Sequence, residues 1–197
     1  MELPCPPDEN LPHRAVGLHC KVFEAWPDRV WDNEHQGWLD KEDPLTSVRQ
    51  YEDRVRGWFL RWGEHLRKHH DAGFVVLMVA VGYLEGNQQF RNGQSSKNNS
   101  TAFVVQALRR IFPWVLEAEA KAFYGRVRCG LFHDGMTKHG VEIENRHEQA
   151  LTFDDDHFVV SPNKFLDLVV DDFDAYVVEL QTPNSPALDS FLVRWEG

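Results

Sequence analysis

"GFVVLMVAVGYLEG", residues 73 to 86, is the stretch whose reading decides the fold. It is apolar all round rather than along one stripe, and a helix of that kind belongs in the middle of a bundle. It lies in an uncharged run of thirteen residues, Ala72 to Leu84, too short to span a bilayer. Asp71 is its expected cap. Upstream, Tyr51, Val55, Trp58, Phe59, Trp62 and Leu66 recur at steps of three and four. That spacing predicts an earlier helix capped by Thr46 or Ser47. Downstream, "GNQQFRNGQSSKNNS" (86–100) is polar and rich in Asn, Gly and Ser, so it reads as a loop.

The pattern continues outward. Ser100 or Thr101 starts a third helix, with Val104, Leu108, Ile111 and Phe112 on one side. Pro113 interrupts it, either as a kink or as the first residue of a fourth helix. Leu116, Ala120, Phe123, Val127 and Leu131 then recur at helical steps up to a stop signal at Gly135. "GVEIEN", "QALTFD" and "DHFVVS" alternate weakly between turn residues and predict a small hairpin or three short strands. Ser161-Pro162 opens a fifth helix with Phe165, Leu168, Val169, Phe173, Tyr176 and Leu180 on its apolar face. "SPALDSFLVRW" repeats the Ser-Pro start for a short last helix. Residues 1 to 45 hold six of the ten prolines and show no clean period. They read as an irregular arm, with one short strand at "LHCKVFE".

The chain of 197 residues is one domain's worth of material. Its three cysteines (Cys5, Cys20, Cys129) lack framework spacing, which argues for a reducing compartment over a disulfide scaffold. No basic-then-apolar leader opens the sequence, so the expected location is cytoplasmic and away from membranes. The net charge of −10 is lopsided: residues 141 to 197 carry 13 Asp and Glu against 3 Lys and Arg. The acidic balance therefore argues against indiscriminate coating of nucleic acid. The neutral remainder still contains local basic clusters at "HLRKHH" (65–70), "RR" (109–110) and "RVR" (126–128).

Chemistry concentrates in "RVRCGLFHDG", residues 126 to 135, where the fourth helix runs out. Arg128 and His133 are five apart. On an ideal α-helix that is about 7.5 Å of rise and roughly 140° of rotation, so the two side chains would not stack. A guanidinium suits a phosphate and an imidazole suits proton transfer near neutral pH. The plain structural alternative is that Arg128 pairs with a carboxylate while His133 favours the negative end of the helix.

"YGRVRCGLFHDG" is similar to the signature of the HEPN superfamily, an arginine followed by four to six residues and a histidine on a late helix of a small bundle. The resemblance covers roughly residues 47 to 182. "FVVLMVAVGYLEG" resembles the central helix of such proteins and "SPNKFLDLVVDDFDAYVVEL" their final one. The resemblance implies metal-independent RNA cleavage without a cofactor, in an antiparallel homodimer whose motif helices form one composite cleft. His133 would then deprotonate the ribose 2′-hydroxyl or protonate the leaving oxygen, and Arg128 would stabilise the phosphorane. Phage defence or a toxin role, with an antitoxin or regulatory partner, is a further implication. The family commonly has a polar residue after the arginine, where this chain has Cys129. Other members are inactive and serve as dimerisation, nucleotide-binding or partner-binding modules.

Around the pair, Arg126, Lys138 and His139 are the candidate RNA contacts, and Asp134 and Cys129 the candidate orienting groups. Glu85 reads as a structural ion-pair partner. Cys5, His13, His19 and Cys20 lack metal-ligand spacing, and "DDD" (154–156) and "DD" (171–172) read as solvated acidic runs, so no metal is expected. The expected architecture is all-α: a HEPN-like bundle of four to five main helices over residues 46–197, with a small β-hairpin insertion and the irregular arm at 1–45.

Overall fold

A computed structural model describes residues 5–197, so the first four residues of the expected arm lie outside the described residues. The chain divides into two compact units, one ending at Arg61 and one starting at Trp62.

The first unit is not an irregular arm. It holds a four-stranded antiparallel meander, β1 (His13–Ala15), β2 (Cys20–Phe23), β3 (Arg29–Asp32) and β4 (Gly37–Asp40), paired in chain order. Val30 faces Leu39 and Trp31 faces Trp38 across β3 and β4. One face of the sheet packs Val16, Cys20 and Val30 with Val22 and Leu39. Phe23, Trp26, Trp31 and Trp38 form an edge-to-face cluster, with ring centroids 5.4 to 6.4 Å apart. Val30, Trp31 and Asp32 are consecutive and all buried. Burial on both faces erases the apolar–polar alternation by which a strand is normally recognised.

Helix α1 (Pro44–Arg54), with Pro44 in its first turn, leads into a π-helical stretch over Val55–Leu60 that completes this unit. Its N-cap is Asp43, whose carboxylate accepts from the Leu45 N–H at 2.9 Å, and not Thr46 or Ser47. The buried Asp53 accepts from the backbone N–H groups of His19 and Cys20 at 2.7 and 2.9 Å. Burial, and then the carboxylates of Asp53 and Asp32, push the Cys20 thiol up to about 12. Asp32 is the second anchor. It lies 2.6 Å from Arg49 Nε and 2.8 Å from His35 Nδ1. Burial would push its carboxyl up, but the hydrogen bonds from Arg49 and His35 outweigh that and hold it well below the usual carboxylate range.

The short helix α2 (Arg61–Leu66) precedes α3 (Gly73–Asn92), around which the second unit is built; α4 (Ser100–Ile111), α6 (Pro162–Gln181) and α7 (Pro186–Glu196) pack against α3. Val76, Leu77, Ala80, Val81 and Leu84 of α3 are fully enclosed, but Phe74 and Val75 near its start are 42 % and 47 % exposed, so the helix is not buried on every side as its all-round apolar sequence predicts. Ala72, rather than Asp71, occupies its N-cap position, and no side chain caps the helix there. The helix also continues six residues past Gly86, through residues read as loop, until Gly93 ends it at φ 65°. Its polar turns are kept helical by partners in the interior. Asn87 is 2 % exposed and accepts from Arg91 Nε at 2.8 Å. Asp172 on α6 receives Arg91, Arg110 and the Tyr83 hydroxyl (2.7 Å), which ties α3, α4 and α6 together. Arg91 also lies over the Tyr176 ring at 4.0 Å. Burial and the neighbouring Arg91 lower the Arg110 pKa to about 10.

Helix α5 (Glu117–Phe123) starts beyond Pro113, where the Glu119 carboxylate accepts from the Leu116 N–H at 2.7 Å. The three predicted strands form as β5 (Val141–Ile143), β6 (Leu151–Asp154) and β7 (His157–Val160). Their order is β5-β7-β6, with β5 parallel and β6 antiparallel to β7, so the insertion is a three-stranded sheet rather than a hairpin. With a sheet in each unit, the protein is mixed α/β and not all-α. Among the described residues no helix is long and apolar enough to cross a membrane.

Replacing Asp172 by Asn leaves two partly buried guanidinium groups without their shared counter-charge. The expected loss is about 3 kcal/mol, read as a lower urea midpoint. Asp32 predicts a pH dependence. Because its folded pKa is depressed, its contribution is complete above the ordinary carboxylate pKa near 4 and is lost as pH falls towards the folded value. Acid unfolding followed by Trp fluorescence should be shallower in Asp32→Asn than in the native chain, and the variant less stable at neutral pH.

Candidate functional site

The motif helix changes character where its chemistry begins. After Phe123 the backbone widens into π-helical turns over Tyr124–Arg128 and Gly130–Asp134, and the Cys129 N–H donates to the Tyr124 carbonyl five residues back. Such turns occur mostly as single insertions in α-helices, frequently at functional sites. Wider turns move residues five apart towards one face, so the α-helical rotation between Arg128 and His133 does not apply here.

Two glycines make this geometry possible. A Cβ on Gly130 would stand 2.6 Å from the Met136 carbonyl and 3.1 Å from the Lys138 nitrogen. Without one, the returning chain lies against the helix, and the Lys138 N–H donates to the Arg126 carbonyl at 2.9 Å. Gly135, at φ 71°, makes the reversal.

Arg128 is three-quarters buried. Its Nη2 lies 2.9 Å from Glu85 Oε2. Its guanidinium sits 5.6 Å from the Tyr124 ring and 5.1 Å from the Phe132 ring, one turn to either side. Glu85 is in turn held by the Ser96 hydroxyl at 2.7 Å and by Ser100. Burial opposes ionisation of Glu85, but those hydroxyls and the Arg128 charge prevail, so its pKa is below the ordinary value. The Glu85 carboxylate is therefore ionised at neutral pH. Arg128 Nε and Nη1 have no hydrogen-bond partner among the described residues. His133 is exposed in the last π turn and makes no hydrogen bond or ion pair among the described residues.

The other expected site residues are placed differently. Arg126 grips Asp156 in the β6–β7 turn at 2.6 Å and lies over Phe158, so it fastens the sheet to the helix. Asp134 is 3.8 Å from Lys138, and that loose exposed pair, rather than His133, is its contact. His139 is exposed, and Cys129 is a half-buried free thiol. The basic clusters are largely neutralised. Arg67 pairs with Asp167, Arg110 with Asp172, and Arg109 Nε donates to the Val115 carbonyl.

Of the residues weighed as metal ligands, the His13 ring lies tilted against Phe23 at 5.1 Å, and Asp172 is taken by arginines. Asp32, Glu34 and His35 bring ligand-type atoms within 4.8 Å of one another. Arg49 lies 2.6 Å from a carboxylate oxygen of both Asp32 and Glu34, which gives those carboxylates a counter-charge. Sequence reasoning missed the two rings around Arg128, although Tyr124, Arg128 and Phe132 stand at steps of four. It also missed Ser96 and Ser100.

A pair of glycine substitutions checks the packed return of the chain. Gly130→Ala forces a methyl into backbone and should cost about 1–3 kcal/mol. Gly125→Ala, whose Cβ meets nothing within 4 Å, should be neutral or slightly stabilising. Thermal unfolding of the two variants reads the difference. Comparison of the chain with family models, with curated proteins and with solved structures finds no match.

Proposed function

We propose that the protein is a metal-independent endoribonuclease of the HEPN type, acting as a cytoplasmic homodimer with Arg128 and His133 as its working residues. One observation carries the reading: an exposed imidazole and a held, three-quarters-buried guanidinium stand on two successive π-helical turns at the end of the motif helix. Glu85 and the two rings fix the guanidinium plane before any ligand arrives, while Nε and Nη1 stay available for phosphate oxygens.

In the proposed reaction His133 takes the proton from a ribose 2′-hydroxyl. The 2′-oxygen attacks phosphorus, the bond from phosphorus to the 5′-oxygen breaks, and the leaving oxygen takes a proton from a second imidazole. Arg128 neutralises the charge that gathers on the non-bridging oxygens. The products are a 2′,3′-cyclic phosphate and a 5′-hydroxyl. The second imidazole is His133 of another copy of the chain, which makes the dimer part of the chemistry. A cellular role in defence, under control of an antitoxin or regulator, belongs to the same reading.

One observation favours a second reading. The Glu85 carboxylate already cancels the Arg128 charge, as in a catalytically silent module that binds a nucleotide or a partner protein.

Incubation with single-stranded RNA in EDTA separates them. The first reading expects cleavage to cyclic-phosphate ends, lost by at least about 100-fold in His133→Ala and in Arg128→Ala. Intact RNA after incubation with a folded, dimeric native chain would leave the silent module standing. Cleavage undiminished in both variants would place the chemistry elsewhere.

A further inference from the structure

We infer that Phe132 is the stacking platform for an unpaired nucleobase beside the cleaved phosphodiester, so that the site takes single-stranded RNA and rejects duplex. The inference rests on the nuclease reading and deepens it.

The observations form one column. Tyr124, Arg128 and Phe132 follow at steps of four, and the guanidinium lies between the two rings at 5.6 and 5.1 Å. Inward, the guanidinium is tied to Glu85. At the outward end the column stops at Phe132, which is 44 % exposed, a large apolar ring left to solvent next to His133. Its neighbour across the turn, Met136, is 60 % exposed.

A flat ring is the natural next layer of such a column. An arginine behind an aromatic ring suits a nucleobase, whose faces stack on aromatic groups regardless of sequence. The adjacent phosphate then lies within reach of the same guanidinium, and the ribose beside His133. Base pairing removes this possibility, because the faces of a paired base are covered by its neighbours in the helix. Stacking energy is available from any base, so the platform selects strandedness rather than sequence.

The test uses the full chain carrying His133→Ala, which holds RNA without cutting it. The probe is a short RNA containing 2-aminopurine, whose fluorescence falls on stacking. Single strands should bind with quenching, whereas the duplex and an abasic strand should bind about tenfold or more weakly. Phe132→Ala in the same background should lose the quenching and about tenfold in affinity, while Phe132→Trp should retain both.

Equal affinity of Phe132→Ala and its parent, or of single strand and duplex, would overturn the platform. So would a dimer that becomes a monomer in Phe132→Ala by sedimentation, since the ring would then be covered by a second copy of the chain. Native-chain cleavage that is unchanged by Phe132→Ala removes the platform but not the nuclease. Failure of the native chain to bind or cut any RNA removes both.

Discussion

The carboxylate of Asp172 is shared by two arginines, one of which also reaches Glu179, and the helices of the second unit are arranged around that fact. Arg91 comes from α3 and Arg110 from α4, while Asp172 itself is on α6. Two guanidinium groups cannot be drawn into an apolar bundle side by side without a shared counter-charge. The need for it also explains why α3 outlasts its apolar stretch. Asn87 and Arg91 belong to polar turns that would otherwise unwind into solvent, and the network uses them where they are. The same length of α3 carries Glu85 to the point where Arg128 emerges, so packing of the bundle and order in the candidate site are one construction.

That construction explains which parts were legible in the letters. Where a helix buries apolar surface the letters showed it, α3 as one long apolar run and α6 through the clean period of its Phe165–Leu180 face. Gly135 and Ser161-Pro162 marked real boundaries because each acts through local backbone geometry alone. The polar turns of α3 read as loop because local composition cannot announce a partner some eighty residues away. The meander of the first unit was invisible for a related reason. Its strands are three or four residues long, and β3 is buried on both sides, so no period of two survives.

At the site, spacing alone put Arg128 and His133 on different faces. The backbone there is not α-helical throughout: its hydrogen-bond register changes in the middle of the helix, a device that has no known letter code, so the ideal α-helical rotation does not describe this segment. What could be read was the ion-pair role of Glu85. What could not were the contacts that turn basic letters into neutral surface: Arg126 on Asp156, Arg67 on Asp167 and Arg110 on Asp172. A count of positive residues overstates the attraction that RNA would feel. Any recognition has to rely on a few well-placed groups instead of a broad field.

The register change has a consequence for how the motif tolerates alterations in length. A wide turn is an α-helix carrying one surplus residue, and each residue of a regular helix advances the chain by about 100°. Deleting a single amino acid between Tyr124 and Asp134 would let the segment relax to ordinary winding, swinging every later side chain round the axis. Point changes of chemistry leave the phase of the imidazole against the guanidinium intact, whereas a one-codon loss would reset it.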